Sequence, residues 1–486
     1  MLILWEILTI NAEKENLYLV LDQGGHATRA IIFDERSQIR CHFESPISTR
    51  QQGELIVEHD PIELIASFAD VINQTYQFLK EKFKNIKTAG LATQRSSFVC
   101  WNKNTGKAYT PVISWQDRRS VDDNSRFDQY QNMIHEKTGL FLNPHYGASK
   151  MFWCLQNVPS LQKAIEKNEL CIAPLSSFVL FHLLKQKPFK VDPANASRTL
   201  LMDYQRLQWD QALCEIFKIP QHCLPKIHHT AHEYGNLEAH GHEIPLKICT
   251  GDQSAAVFSA GKPDSEKIYL NIGTGAFIQH CSEDLPDVSN EKLLASVVYT
   301  DSEKNIYALE GTVNGAGRAL QWYAKKTSCN DYEENLDNWS REYTEPPLFI
   351  NGISGVGSPF WNATLSSEFV GDVKNTQAGF VAVLESIAFL ITCNIHLMLK
   401  ISPCIKSITI SGGVSASNSL CQKISDLSKL PVTRAKAAEA TAKGANYLLS
   451  NNSLSLSKEA TDDFSAIKNP SFDARYYRWL KLMNEA

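Results

Sequence analysis

The sequence predicts an α/β chain of two related domains, and three stretches carry that prediction. Leu17-Tyr-Leu-Val-Leu-Asp-Gln-Gly-Gly-His-Ala-Thr-Arg-Ala-Ile-Ile-Phe-Asp34 reads as strand, glycine turn, strand. Lys267-Ile-Tyr-Leu-Asn-Ile-Gly-Thr-Gly-Ala-Phe-Ile-Gln-His280 repeats the pattern in the second half, which implies an internal duplication. Between them, Ile248-Cys-Thr-Gly-Asp-Gln-Ser-Ala-Ala-Val-Phe-Ser-Ala260 sets one carboxylate, Asp252, after an apolar run and before small residues. Leu246 to Cys249 reads as a short buried strand and Ser254 to Ala260 as the first turns of a helix. In open α/β sheets ligands bind beyond such strand ends, so Asp252 is the candidate catalytic base. Alone, a Gly-Asp-Gln run reads more readily as a helix cap.

The chain has 486 residues, 43% of them apolar, enough for two or three cores. A net charge of -5 with interspersed signs leaves no basic face for nucleic acid and no polybasic membrane anchor. Twelve cysteines are scattered singly with no C-x-x-C pair, which suits reduced, buried thiols and a cytoplasmic setting. Met1 to Ile10 is apolar but lacks a basic leader and a cleavage signal, and is too short to span a membrane; it reads as a loose or packed extension.

Each element then follows in order. Asp22 closes the first strand, where a carboxylate can hold a hydrated metal while the N–H groups of Gly24 and Gly25 face a phosphate. A plain hairpin with a surface aspartate fits the same residues. Gln38 to Glu44 reads as a third strand, Pro61 to Phe83 as an amphipathic helix, and Ile86 to Thr93 as a buried strand ending in Gln94-Arg95-Ser96. Arg95 there suits an anion or polar substrate, or a surface ion pair. Val112-Ile-Ser-Trp-Gln-Asp-Arg-Arg119 offers Trp115 as an apolar wall beside donors, as a polyhydroxylated ligand needs, although a lone tryptophan also fits a core.

Six histidines crowd residues 222–242, but their spacing is irregular and Pro225, Gly235 and Gly241 interrupt them; the segment reads as a solvated loop, not a metal site. In the second half, Leu309 to Trp322 leads from strand to helix, and Phe380 to Leu399 reads as a long buried helix. Ile405 to Ser417 reads as a strand entering Gly412-Gly413, where a flat base can lie on the backbone. Gly444 permits close packing of a further helix.

From about Leu17 to about Leu449 the order of these motifs resembles the FGGY carbohydrate kinases, and within them the glycerol kinases. The matching stretches are Asp22-Gln-Gly24 with Arg29, Gln94-Arg95, Trp115-Gln-Asp-Arg-Arg119, Lys150-Met-Phe-Trp153, Asn195-Ala-Ser-Arg198, Gly251-Asp-Gln253, Gly273-Thr-Gly275, Gln321-Trp322, Ser354-Gly-Val-Gly-Ser-Pro-Phe-Trp361 and Gly412-Gly413. The resemblance implies two duplicated actin-like, hexokinase-like (ribonuclease H-like) domains around a central cleft. Residues 17–254 would hold the acceptor, the first phosphate turn and the catalytic aspartate, and 255–486 the ATP site. It implies ATP and Mg2+ as cofactors, a small polyol or sugar as acceptor, and a homodimer or homotetramer.

Carried over by position, Asp252 would accept the proton of the attacking hydroxyl and Asp22 would position the metal. Gly24, Gly25, His26, Gly273 and Thr274 would face the phosphates, with Gly317, Gln321, Gly412, Gly413 and Ser417 on the nucleotide. Arg95, Ser96, Trp115, His145, Gln253 and Phe277 would line the acceptor pocket beside Asp252. Phosphoryl transfer asks mainly for positioning, charge neutralisation and a carboxylate near the nucleophile, which these residue types provide.

Three positions depart from the glycerol kinases. Those enzymes carry a glutamate after the Gln-Arg pair and a tyrosine after the proline of the next pocket segment; this chain has Ser96 and His145. Changed polar contacts alter discrimination among hydroxylated substrates, so an acceptor other than glycerol is expected. Gly25-His26 replaces a hydroxyl-bearing turn, which leaves a catalytically silent ligand-binding sensor as the alternative class.

Overall fold

A computed structural model describes residues 15–288, 292–435, 439–450 and 461–485; the Met1 to Ile10 extension lies outside the described residues. The chain divides into two units. The first comprises residues up to Pro263 with Ser296–Tyr307 and the stretch after Glu439, and the second is built from Asp264 onward.

The first unit is organised by a six-stranded sheet. Leu17–Gln23 (β1) and Ala27–Asp34 (β2) form the expected hairpin, and Ile39–Pro46 (β3) pairs antiparallel with β2. The Asp34 carboxylate closes the β2–β3 turn by accepting from the Arg36 and Gln38 N–H groups. Pro61–Leu79 (α1) begins at Asp60, whose side chain accepts from Ile62 and Glu63 N–H, and has proline in its first turn. It ends four residues before Phe83 because Lys80 turns to φ 48°, and Lys80–Asn85 continues as a 3-10 helix.

The α1 stripe Leu64, Phe68, Val71 and Ile72 packs with Leu19, Leu21 and Ile32 in one core. Each such burial contributes roughly 1.5–3 kcal/mol. Ile86–Thr93 (β4) runs parallel to β1. Gly147–Asn157 forms α2. Ala231–Ala239 (β5) and His242–Gly251 (β6) pair antiparallel, and β6 lies parallel to β4, giving the order β5-β6-β4-β1-β2-β3.

Three expectations change here. The strand before Asp252 is ten residues long, starting at His242. The helix after it, Asp252–Ala256 (α3), has five residues and does not continue to Ala260 as helix. The histidine segment is not a solvated loop: His232 lies on β5 and stacks on His228 at 4.2 Å, while His240 stacks on Tyr76 at 3.8 Å. Strand pairing supplies a partner for the backbone that local composition did not reveal. Among the described residues no cluster of His, Cys, Asp and Glu gathers to hold a metal.

The second unit repeats the plan. Lys267–Ile272 (β7) and Ala276–Ser282 (β8) form a hairpin, and Asn305–Val313 (β9) follows. Gly317–Thr327 (α4) and Tyr332–Glu342 (α5) precede Thr376–Ile401 (α6), capped by the Asn375 side chain on Ala378 N–H. Ser407–Ser411 (β10) runs parallel to β7, then Asn418–Ser428 (α7), Val432–Ala435 (β11) and Thr461–Phe464 (β12). Within a seven-stranded sheet the order is β9-β8-β7-β10-β11-β12, with Leu294–Thr300 at the edge. In each sheet the first strand of the hairpin pairs antiparallel with the second and parallel with a later strand, β1 with β2 and β4 and β7 with β8 and β10, so the duplication is structural.

Helix α6 is long and apolar enough to cross a membrane, yet its apolar window is wholly buried. Buried Glu385 on α6 bonds Lys423 at 3.0 Å and Arg475 at 2.6 Å, a pairing that a lipid-facing helix would not carry. The helix Ala440–Leu449 counts with the first unit, and a Cβ on its Gly444 would lie 1.8 Å from the Ala255 carbonyl oxygen, so only glycine fits there. All twelve cysteines are free thiols, ten of them buried.

Candidate active site

In the first unit three parallel strands end at one level. Asp22 on β1 is in register with Ala92 on β4, which is in register with Thr250 on β6; one step further Gln23, Thr93 and Gly251 are aligned. The next residues leave the sheet together: Gly24, Gln94 and Asp252. This is the edge at which open α/β sheets bind ligands.

Two carboxyl groups occupy it. Asp22 is 5% exposed, with Arg29 Nη1 at 3.8 Å from Oδ2. Burial and then the charge of Asp252 push its pKa up to about 7, against the pull of Arg29. Asp252 Oδ1 accepts from Gln253 N–H at 2.6 Å and faces Arg95 Nε at 3.9 Å. Burial raises the Asp252 pKa, and Arg95, the Gln253 N–H and Arg198 oppose the rise.

Gly251 makes this contact sterically possible. A Cβ there would lie 2.5 Å from both Cγ and Cδ of Arg95. Arg95 therefore lies along the bare strand end, and its guanidinium reaches Asp252.

Beside them, Ser96 is buried with φ 63°, a left-handed backbone that serine rarely adopts. Trp115 packs edge-on against His145 with ring centroids 5.4 Å apart. Burial, then Lys150, Arg198 and Arg95, hold the His145 pKa at about 3, so its imidazole is neutral at physiological pH. Gln94 links two loops. Its Nε2 donates to Gln23 Oε1 and the Gly24 carbonyl, and its Oε1 accepts from Ser97 Oγ, which in turn accepts from Trp115 N–H at 2.9 Å. In the first turn, Gly25 faces open space, so its bare Cα leaves room for a ligand, and His26 is exposed.

The second unit carries the other glycine turns. Gly273 and Gly412 follow β7 and β10, whose last aligned pair is Asn271 with Ser411. Gly412 has φ 94°, and a Cβ there would lie 2.4 Å from the Ile272 carbonyl oxygen. The Gly317 and Arg318 N–H groups donate to the carbonyls of Gly273 and Thr274, both at 3.0 Å, so the start of α4 is fastened to this turn. Thr274 and Gln321 are exposed, and Gly413 faces open space. Ser417 Oγ donates to Asp337 Oδ1 at 2.6 Å and caps α7 by accepting from Leu420 N–H. Phe277 belongs to this unit, on β8, with an exposed ring.

The structure thus brings Asp22, Arg95, Ser96, Trp115, His145, Asp252 and Gln253 into the first unit, and Gly273, Thr274, Gly317, Gln321, Gly412, Gly413 and Ser417 into the second. It adds residues that the sequence did not single out for the site. Arg198, 5% exposed, acts electrostatically on both Asp252 and His145; its Asn195-Ala-Ser-Arg198 run was the available signal. Gln94, Lys150 and Asp337 are the others.

Comparison with known proteins fits this architecture. The profile of the FGGY carbohydrate kinase N-terminal domain matches residues 17–259, and that of the C-terminal domain matches 268–450. A glycerol kinase of Limosilactobacillus reuteri is 31% identical over 449 residues, covering 90% of this chain and 89% of its own. One from Aquifex aeolicus is 30% identical, with 88% of each chain covered. Plasmodium falciparum glycerol kinase, solved with ADP, superposes with a TM-score of 0.88 at 26% identity over 97% of this chain and 98% of that one. A Brucella ovis xylulose kinase shares the fold at TM-score 0.85 and 18% identity, covering 97% and 98% of the two chains. With both domain profiles matched in order over nearly the whole length, the chain belongs to the FGGY family of carbohydrate kinases.

Proposed function

We propose that this enzyme transfers the γ-phosphoryl group of ATP to a hydroxyl of a small polyol or sugar other than glycerol, with Asp252 as the base. The observation that carries the reading is the placement of Asp22 and Asp252 at one edge of three parallel strands, with Arg95 held against Asp252.

The residues fit a magnesium nucleotide. Mg2+ is usually held by one or two carboxylates together with substrate phosphates and water rather than by an all-protein cage. A single buried carboxyl such as Asp22, whose charge is disfavoured until a cation compensates it, suits that role. The open Cα faces of Gly25 and Gly413 leave space where a phosphate or base can approach the backbone. Bound magnesium ATP supplies the electrophilic phosphorus and screens its phosphate charge.

The chain's own residues do the rest. Asp252 takes the proton of the acceptor hydroxyl; its raised pKa makes it a stronger base than an ordinary aspartate. Arg95 keeps the carboxylate oriented, as does the Gln253 N–H. Trp115 offers an apolar face, and neutral His145 can donate or accept a hydrogen bond without adding charge. Serine at position 96 removes the carboxylate that glycerol kinases place there, which supports a different acceptor.

The test is a coupled ADP-release screen with magnesium ATP over glycerol, longer polyols, ketoses and aldoses. One acceptor other than glycerol is expected to turn over best, and Asp252→Asn is expected to lower its kcat by about 10²–10⁴-fold while ATP still binds. Equal turnover by the variant would remove Asp252 from the mechanism, and preference for glycerol would remove the substrate assignment.

A further inference from the structure

Lys150 lies on α2 with no exposed surface, and the chemistry described above does not use it. Its Nζ donates to the Ser114 carbonyl at 3.0 Å and reaches the Ser96 carbonyl at 3.5 Å. Ser114 directly precedes Trp115, and Ser96 directly follows Arg95. One ammonium therefore bonds the backbone of both loops that carry the acceptor-side residues. A second tie, Ser149 Oγ to Ser120 Oγ at 2.9 Å, fixes the same turn of α2 to the end of the Trp115 loop.

The energetics point the same way. A buried ammonium is costly unless its donors are used, and a buried carbonyl that loses its donor costs about 1–3 kcal/mol. Ser96 has φ 63°, strained for a residue with a Cβ, and such conformations persist only where surrounding contacts over-determine them. Its carbonyl is one of the two that Lys150 binds.

We propose that Lys150 is a positioning residue, clamping the Arg95-Ser96 and Ser114-Trp115 loops against each other and so setting the acceptor pocket. It acts through those two carbonyls. Its consequence for catalysis rests on the acceptor-site reading above; the clamp itself does not.

Burial lowers the Lys150 pKa to about 7, with Asp117 and Cys154 opposing and Arg119 assisting. The groups that face it are Asp117 and Arg119 from the Trp115 loop, Cys154 from its own helix, and His145. Arg119 pairs with Asp117 at 2.8 Å and with Glu58 at 2.6 Å, so these charges are held by one another. Burial pushes the Cys154 thiol to about 12, and His145 is neutral above about 3, so neither titrates near pH 7. As pH rises through about 7 the ammonium becomes an amine, and its charge-assisted bonds to the carbonyls weaken.

The experiment is hydrogen exchange with mass spectrometry on the full chain and its Lys150→Met variant, with steady-state kinetics beside it. Protection is expected to fall about tenfold or more in peptides containing Ser96 and Ser114, with no change across β7 and β8. The acceptor KM is expected to rise about tenfold or more, with KM for ATP changed less than about twofold. Unchanged protection in the two loops overturns the proposal, as does a loss spread evenly over the chain.

If that variant fails to fold, Lys150→Gln, which keeps a neutral donor, is compared with the wild type instead. Protection in the Ser96 and Ser114 peptides is expected to fall selectively there too, and unchanged protection overturns the clamp. A chain that turns over no acceptor would defeat the kinase reading, while the exchange measurement would still decide the clamp.

Discussion

Asp22 stands in register with Thr250, two residues before Asp252, across the parallel strand β4, and the charge of Asp252 raises the pKa of Asp22. Two carboxylates at one sheet edge form an electrostatically loaded site, which a cation relieves. Four predictions follow from this and from the contacts around it.

The first concerns pH. Asp22 ionises near 3.8 in an unfolded chain and at about 7 in the fold. Between those values the folded protein holds a proton that the unfolded chain has lost, so stability declines as pH rises from about 4 to about 7. The Asp22 contribution is level above that range. The full shift corresponds to about 4 kcal/mol at most. Thermal unfolding without divalent cation should show the decline, Asp22→Asn should make it shallower while Asp252, also raised by burial, keeps its share, and added Mg2+ should raise the Tm above pH 7 in the wild type more than in the variant.

The second concerns Gly251. Alanine there sets a Cβ where Arg95 Cγ and Cδ lie, so the arginine must move away from Asp252. Gly251→Ala should cost about 1–3 kcal/mol of stability from overpacking. It should lower kcat/KM for the acceptor about tenfold or more, with ATP affinity little changed. Kinetics with each substrate varied in turn distinguish this from a general loss of fold.

The third concerns the loop after Gly412. The Asp337 carboxylate on α5 accepts from Ser417 Oγ, Asn418 N–H and Ser419 N–H, fixing the start of α7. Asp337→Ala removes three donors' partner at once, and a lost cap of this kind costs about 1–2 kcal/mol. KM for ATP should rise about threefold or more while the acceptor KM stays level. An equal rise in both constants would contradict a role confined to the nucleotide side.

The fourth concerns Ser96. Ser96→Glu restores the carboxylate that glycerol kinases carry after the Gln-Arg pair. Glycerol should become a better substrate relative to the natural acceptor by about tenfold, a difference of about 1.4 kcal/mol in transition-state binding. Ser96 is buried, so Ser96→Gln, equal in size to glutamate, is the control that isolates the carboxylate. An unchanged ratio in competition assays would show that residue 96 does not discriminate.

Much of this was legible in the chain itself. The glycine turns at Gly24 and Gly273 announce the hairpins because alternating apolar runs and turn residues are local signals. The buried run of α6 reads directly as a core helix, and Asp252 is visible as a carboxylate at a strand-to-helix junction. The histidine segment misled because local composition resembles a loop; its backbone hydrogen bonds come from β6 and its rings stack on Tyr76 and on each other.

The sequence by itself determined the duplicated α/β plan, the family and the residue types at the site, all of which depend on neighbours a few positions apart or on motif order. The tertiary structure decided which residues meet. Parallel pairing of β1, β4 and β6 joins segments separated by long stretches of chain, and that register sets Asp22 and Asp252 at one edge. The same pairing of distant segments brings Arg95 onto bare Gly251, Arg198 to Asp252 and His145, and Lys150 under two loops. No periodicity encodes such contacts, because burial and Coulomb forces act on distance in space and not on distance along the chain.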